Sequence, residues 1–247
     1  MKTLLLLPIM SVAALISPAA ADQIFQSGPD RTQVIELYTS EGCSSCPPAD
    51  RYVRNLLAQK NLWDAFIPMA FHVDYWDYLG WHDPFANPDH SDRQRRYREL
   101  GGLASVYTPG FVVNGREWRS FFRSGPLPDA GGSAIGNLIL EVGEAGVLTR
   151  LMPAASLEKD LEVSVAILGF DLISHVPAGE NRGKSLRHDF VVLGVNTSEL
   201  ESDDQHLSAR LQLPTPKTHA PRQGVVAWVH EKGRQEPLQA VGGWLDR

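Results

Sequence analysis

The sequence predicts an α/β domain, a central mixed sheet flanked by helices, followed by a C-terminal antiparallel β-rich domain. Three observations point there. The strand-forming run Gln33–Tyr38 (QVIELY) is followed, after a short turn, by a helical pattern that opens on Pro47-Pro48. Strand and helix patterns then alternate up to about residue 145. Beyond Gly146 helical periodicity stops, and alternating segments separated by turn residues take over. The expected division is residues 29–145 for the first domain and 146–247 for the second.

Each element has a local reason. In ADRYVRNLLAQK, Val53, Leu56 and Leu57 share one helical face. Proline suits the first helical turn, where its missing N–H would be unpaired anyway. Ala65–Val73 reads as a second strand, with Pro68 marking its start or an edge. Ser91–Leu100 reads as a second helix, with Ser91 and Gln94 at capping-box spacing and Gly101-Gly102 ending it. Tyr107–Gly115 reads as a strand and turn, the Asn114-Gly115 pair signalling a hairpin that returns through Arg116–Ser120. Residues Ala134–Val142 (IGNLILEV) predict a closing helix. In the second half, strands are expected over Leu161–Phe170, Leu186–Val195, Ser208–Leu213, Gly224–His230 and Leu238–Trp244. Turns such as Gly179-Glu-Asn-Arg-Gly183 separate them. The order of the first half is that of a thioredoxin-like domain.

The chain is bounded by its ends and its charge. Lys2, the apolar run Leu4–Ile16 and Ala19-Ala20-Ala21 form an export-signal pattern, with cleavage expected after Ala21. The expected location is therefore periplasmic or extracellular, with no membrane attachment after cleavage. The formal charge of −6 becomes −7 once Lys2 is lost, and no basic block is present. That argues against a nucleic-acid partner.

The stretch GCSSCPPAD holds the only two cysteines, Cys43 and Cys46. In an oxidising compartment they have only each other to pair with. A disulfide closing so short a loop adds less chain-entropy stabilisation than a long-range bridge, so a redox role is more attractive than a structural staple. At a helix start, unpaired N–H groups and the helix dipole favour a thiolate. Cys43 is the expected attacking thiolate and Cys46 the resolving thiol. Thr108-Pro109 stands where thioredoxin-like domains carry a cis-proline beside the dithiol, and its backbone is expected to pair with an extended substrate. Glu36, seven residues before Cys43, is expected to exchange a proton with Cys46. The dense run His72–Asp83 holds Trp76 and Trp81, candidates for gripping a peptide; packing of the insertion onto the domain is the simpler reading of most of its aromatics.

GCSSCPPADRY, FHVDYWDYLGWHDPFA and VYTPGFVVNG resemble the hallmark stretches of a family of secreted thioredoxin-like proteins catalogued as a domain of unknown function. The resemblance covers roughly Thr32–Arg119 and extends into the second half through AGENRGKSLRHDFVV. It implies a thioredoxin-like fold with a β-rich tail, and within that wider class the matching positions are Cys43, Cys46 and Pro109. Ser44-Ser45 replaces the usual Gly-Pro between the cysteines.

The leading expectation is a thiol–disulfide oxidoreductase acting on a protein or a small thiol or disulfide, with no cofactor and no resident metal. Two alternatives stay open. One is a copper-binding protein using the thiolates and one of His72, His82 or His90. The other is a non-catalytic binding module whose β half is the interaction surface. The direction of exchange is not set by the sequence.

Overall fold

The computed structural model describes residues 23–123, 125–129, 136–154, 160–202 and 206–246. The expected signal segment 1–21 lies outside the described residues. In chain order the elements are β1 (Gln23–Gln26), β2 (Gln33–Thr39), α1 (Pro47–Asn55), β3 (Phe66–His72), α2 (Pro88–Glu99), β4 (Gly110–Val113) and β5 (Arg116–Glu117). Then follow β6 (Gly136–Gly143), β7 (Gly146–Pro153), β8 (Leu161–Phe170), β9 (Leu172–His175), β10 (Ser185–His188) and β11 (Val191–Glu199). The last are β12 (Glu201–Ser202), β13 (Leu207–Leu211), β14 (Arg222–Glu231) and β15 (Gln239–Trp244).

The fold class expected from the sequence is corrected. Strands dominate, only two α-helices occur among the described residues, and no helix-flanked thioredoxin-like α/β domain is formed. Strands β2, β3, β4 and β5 form one end of an eight-stranded sheet ordered β15-β14-β8-β11-β3-β2-β4-β5. Four of its strands thus come from beyond Gly146. The junction is β11 against β3, parallel, through Val191 and Ala70. There the Ala70 N–H donates to the Phe190 carbonyl at 2.8 Å. Pro68 fits because the β11 ladder begins only at Ala70: two residues earlier on that side, no N–H is needed.

The expected closing helix is also corrected. From Gly136 onward the segment is β6, paired antiparallel with β7 in a second sheet ordered β1-β6-β7-β13-β12; residues 134–135 lie outside the described residues. Leu138, Leu140 and Val142 point inward and alternate with half-buried Asn137, Ile139 and Glu141. That is a period of two, and a short apolar run does not distinguish it from a helix face without its partner strand. These inward residues meet Val163, Val165, Ile167, Val225, Ala227 and Val229 of the large sheet, so two sheets face each other across one apolar layer.

A second apolar cluster packs the rest of the large sheet, with α1 on one face of β2 and α2 on the other. It runs from Ile35, Phe71 and Phe111 through Leu168 and Phe170 to Trp228, with Ala49 and Val53 of α1 and Tyr97 of α2 packed onto it. Helix α2 begins earlier than expected. Its cap is Asn87, whose side chain accepts the Asp89 N–H at 3.1 Å, and Pro88 opens the first turn. Ser91 is instead buried, its hydroxyl donating to Asp74. The Asn114-Gly115 turn forms where expected, with φ of 47° and 82° at the two residues.

Candidate functional site

The cysteines sit where β2 hands over to α1. Strand β2 ends at Thr39, the chain turns through Ser40, Glu41 and Gly42, and Cys46 is the residue that caps α1. Cys43 and Cys46 form a disulfide with 5.5 Å between their Cα atoms. The Cys46 N–H donates to the Cys43 carbonyl at 3.2 Å, and the Cys46 carbonyl accepts from Ala49 and Asp50. Ser45 Oγ lies 3.3 Å from Cys43 Sγ. Both cysteines are buried, while Ser44 and Ser45 are exposed.

Two expected residues, Trp76 and Trp81, reach this loop. The Thr108–Pro109 peptide bond is cis. The Trp76 indole N–H donates to Thr108 Oγ1 at 2.8 Å. Trp76 also packs on Gly42, where an added Cβ would lie 2.8 Å from the Trp76 Cβ. Trp76 therefore spans the gap between the cysteine loop and the Thr108-Pro109 segment. The Trp81 indole N–H donates to Glu41 Oε2 at 2.7 Å. Both indole N–H groups are engaged within the fold.

Glu36 is not brought to the cysteines. Residues alternate across β2, and Thr39 faces α1, its hydroxyl donating to Asp50 at 2.9 Å. Glu36 and Tyr38 face the other way, toward α2. Glu36 is fully buried and takes a forked pair of bonds from Arg93, at 2.8 and 2.9 Å. The Tyr38 and Tyr97 hydroxyls complete its shell at 2.8 and 2.6 Å. Both phenols are pushed far up by burial and by the Glu36 charge.

On the α1 side the structure assembles ionisable groups, of which Asp50, Glu41 and His188 were missed by sequence reasoning. Asp50 lies one turn after Cys46, on the same helical face. Burial raises its carboxyl above the ordinary range, against the opposing influence of His188 and His72. His188, from β10, has Nε2 2.9 Å from Glu41 Oε1. His72, at the end of β3, has Nδ1 2.7 Å from Asp83 Oδ2, which also accepts the Glu41 N–H at 2.9 Å. Burial would lower the His72 pKa, but the Asp83 carboxylate outweighs it and holds the imidazole above its ordinary value. Burial likewise opposes ionisation of Asp83, and its His72 partner still holds it low. The two imidazole rings stand edge to face, 4.9 Å apart. Of the other copper candidates, His82 is exposed and His90 lies on the buried face of α2, its Nδ1 2.9 Å from the His72 carbonyl. Among the described residues, no group of three or more His, Cys, Asp or Glu is placed to hold a metal ion.

The hairpin turn between β9 and β10 completes the site. Asn181 is fully buried and donates from Nδ2 to the carbonyls of Glu41 and Cys43, at 2.8 and 2.9 Å. Glu180 Oε2 accepts both the Ser44 N–H, at 2.9 Å, and its hydroxyl, at 2.7 Å. The Gly-Glu-Asn-Arg-Gly signal revealed a turn; that the turn lands 136 residues back along the chain was invisible.

Comparison with known proteins follows the fold. A crystal structure of protein AGR_C_4864 from Agrobacterium tumefaciens aligns with a TM-score of 0.56 at 24% identity, over 87% of this chain and 97% of that one. HBP35 of Porphyromonas gingivalis aligns with a TM-score of 0.64 at 15% identity, over 90% and 77%. At these identities the likeness is one of fold alone. No curated protein matches the chain. The family profile described as "Protein of unknown function (DUF1223)" matches residues 34–230, from the strand that leads into the cysteine loop to the far end of β14, and the chain belongs to that family.

Proposed function

We propose that the protein is a thiol–disulfide oxidoreductase of the periplasm or extracellular space, working through Cys43 and Cys46. The observation that carries this reading is the dithiol pair at the start of α1 with the carboxyl of Asp50, its pKa raised by burial, one helical turn after Cys46. The helix start favours a thiolate, and Ser45 offers a hydroxyl to Cys43 Sγ. In the reduced protein the Cys43 thiolate attacks a client disulfide and expels the first client thiolate. Cys46 then gives its proton to Asp50 and attacks Cys43 Sγ; the second client thiolate leaves and the Cys43–Cys46 disulfide closes. Asp50, raised by burial, takes the proton role first expected of Glu36. Trp76, which packs on Gly42 and bonds Thr108, is a proposed client contact together with Thr108 and Pro109; Trp81 supports the loop through Glu41.

The test is a redox titration of the purified protein against dithiothreitol or glutathione buffers, joined to reduction or refolding of a disulfide-bonded client. The expected potential lies within the span of known exchange proteins, roughly −270 to −120 mV. Client turnover is expected to vanish in Cys43→Ser. A pair that never cycles in that span, or cycles without acting on any client, would overturn the proposal and leave the binding-module reading.

A further inference from the structure

The disulfide that this function uses is closed off from solvent, and a turn from the second half of the chain is bound to the loop that carries it. Cys43 is 1% exposed and Cys46 is fully buried, although the two serines between them are open to water. The turn joining β9 and β10 packs on that loop. Gly179, at φ +75°, brings its backbone against the loop: a Cβ added there would lie 3.8 Å from Gly42 Cα and from Leu79 Cβ. The turn is held at two points of different character. Asn181 is a buried anchor, since its amide N–H groups bind two carbonyls of the cysteine loop and its Oδ1 accepts from Lys184 Nζ at 2.9 Å. Glu180 is exposed, and its single oxygen Oε2 holds both donors of Ser44.

We propose that Glu180 is a gate residue of the dithiol site: its carboxylate on Ser44 holds the β9–β10 turn over Cys43, and must let go before a client sulfur can reach Cys43 Sγ, while Asn181 positions the loop. This rests on the redox reading above. The asymmetry supports it. A buried amide with every polar atom paired is costly to release, whereas an exposed carboxylate exchanges readily with water. Opening therefore starts at Glu180. The Ser44 hydroxyl and N–H that it vacates are left as free donors on the residue that follows Cys43. The gate acts on access and not on the chemistry of the sulfurs, so it governs rates in both directions and leaves their ratio alone.

The test measures reduction of the Cys43–Cys46 disulfide by dithiothreitol, without a client, in the full-length protein with Glu180→Ala, Glu180→Gln and Ser44→Ala variants. Glu180→Ala is expected to raise the rates of reduction and reoxidation together by roughly 3–10-fold, the size expected for losing one or two exposed hydrogen bonds. The equilibrium with dithiothreitol should stay put. Glu180→Gln and Ser44→Ala, which keep part of the contact, should fall between. Asn181→Asp, which turns two donors into acceptors facing carbonyls, should speed both directions further. Unchanged rates in Glu180→Ala, or a shift in the equilibrium with no common acceleration, would overturn the gate. The two readings fail separately. Faster reduction in Glu180→Ala with no client turnover would leave the gate standing without the oxidoreductase. Cys43-dependent turnover with rates indifferent to Glu180 would do the reverse.

Discussion

Replacing Arg93 with methionine should cost the protein about 3–5 kcal/mol of stability, the usual penalty for stranding one member of a buried ion pair. Glu36 has no exposure at all, and Arg93 supplies two of its four short hydrogen bonds. The same guanidinium lies over the rings of Phe71, Tyr97 and Trp228, at 5.3, 5.4 and 5.5 Å from their centroids. It also reaches Gln235, in the turn between β14 and β15. One side chain of α2 thus ties a strand near the start of the chain to a turn near its end. Methionine keeps much of the apolar stem but leaves the Glu36 carboxylate without its cation. The double variant Arg93→Met with Glu36→Gln removes the stranded charge, and should recover a good part of the loss. Denaturant unfolding of the two variants decides it. If the double variant is no more stable than the single one, the cost lies in lost ring packing and not in the charge.

The second large effect is acid sensitivity from His90. Burial lowers its pKa from 6.5 to about 4, with the nearby positive charges of His72 and Arg93 pressing the same way. The His72 carbonyl and the Asp83 carboxylate oppose this without overcoming it. The neutral ring packs edge-on against Phe71 at 5.2 Å. A histidine with a depressed folded pKa makes its full contribution only above its unfolded pKa. As pH falls below 6.5 the unfolded chain takes a proton that the folded chain refuses, so stability declines until about pH 4 and then levels. Titration at about 4 in place of 6.5 corresponds to about 3 kcal/mol over that window. His72 runs the other way. Its raised pKa gives stability that is complete below 6.5 and is lost as pH rises through the folded value. Comparing unfolding midpoints of the native protein and His90→Gln from pH 4 to 7 isolates the His90 contribution. The gap between the two should change by about 3 kcal/mol across the window; parallel curves would refute the assignment.

What was legible in the sequence was local. The β2–α1 handover, the proline-opened helix and the Asn114-Gly115 turn follow from propensities and backbone chemistry acting over fewer than ten residues. The cysteine pair was legible for the same reason: at a separation of three on a helix start, the partners meet whatever the rest of the chain does. The failures have one cause. IGNLILEV carries apolar side chains that suit a helix or a strand, and β7 is what makes it a strand. Distance along the chain points Glu36 to the cysteines, but the alternation of β2 sends it to the opposite face, onto Arg93.

The sequence by itself determined the cysteine pair, the helix that follows it, the tight turns and the strand-rich second half, because each is fixed by neighbours along the chain. The tertiary structure decided the rest. It merged strands from both halves into one eight-stranded sheet through a single junction at Ala70 and Val191. It chose Asp50, His188, Asn181 and Glu180 as the companions of the disulfide. Those choices rest on which faces can be buried together and which buried polar groups can be paired. Both are properties of the packed chain that no segment carries alone.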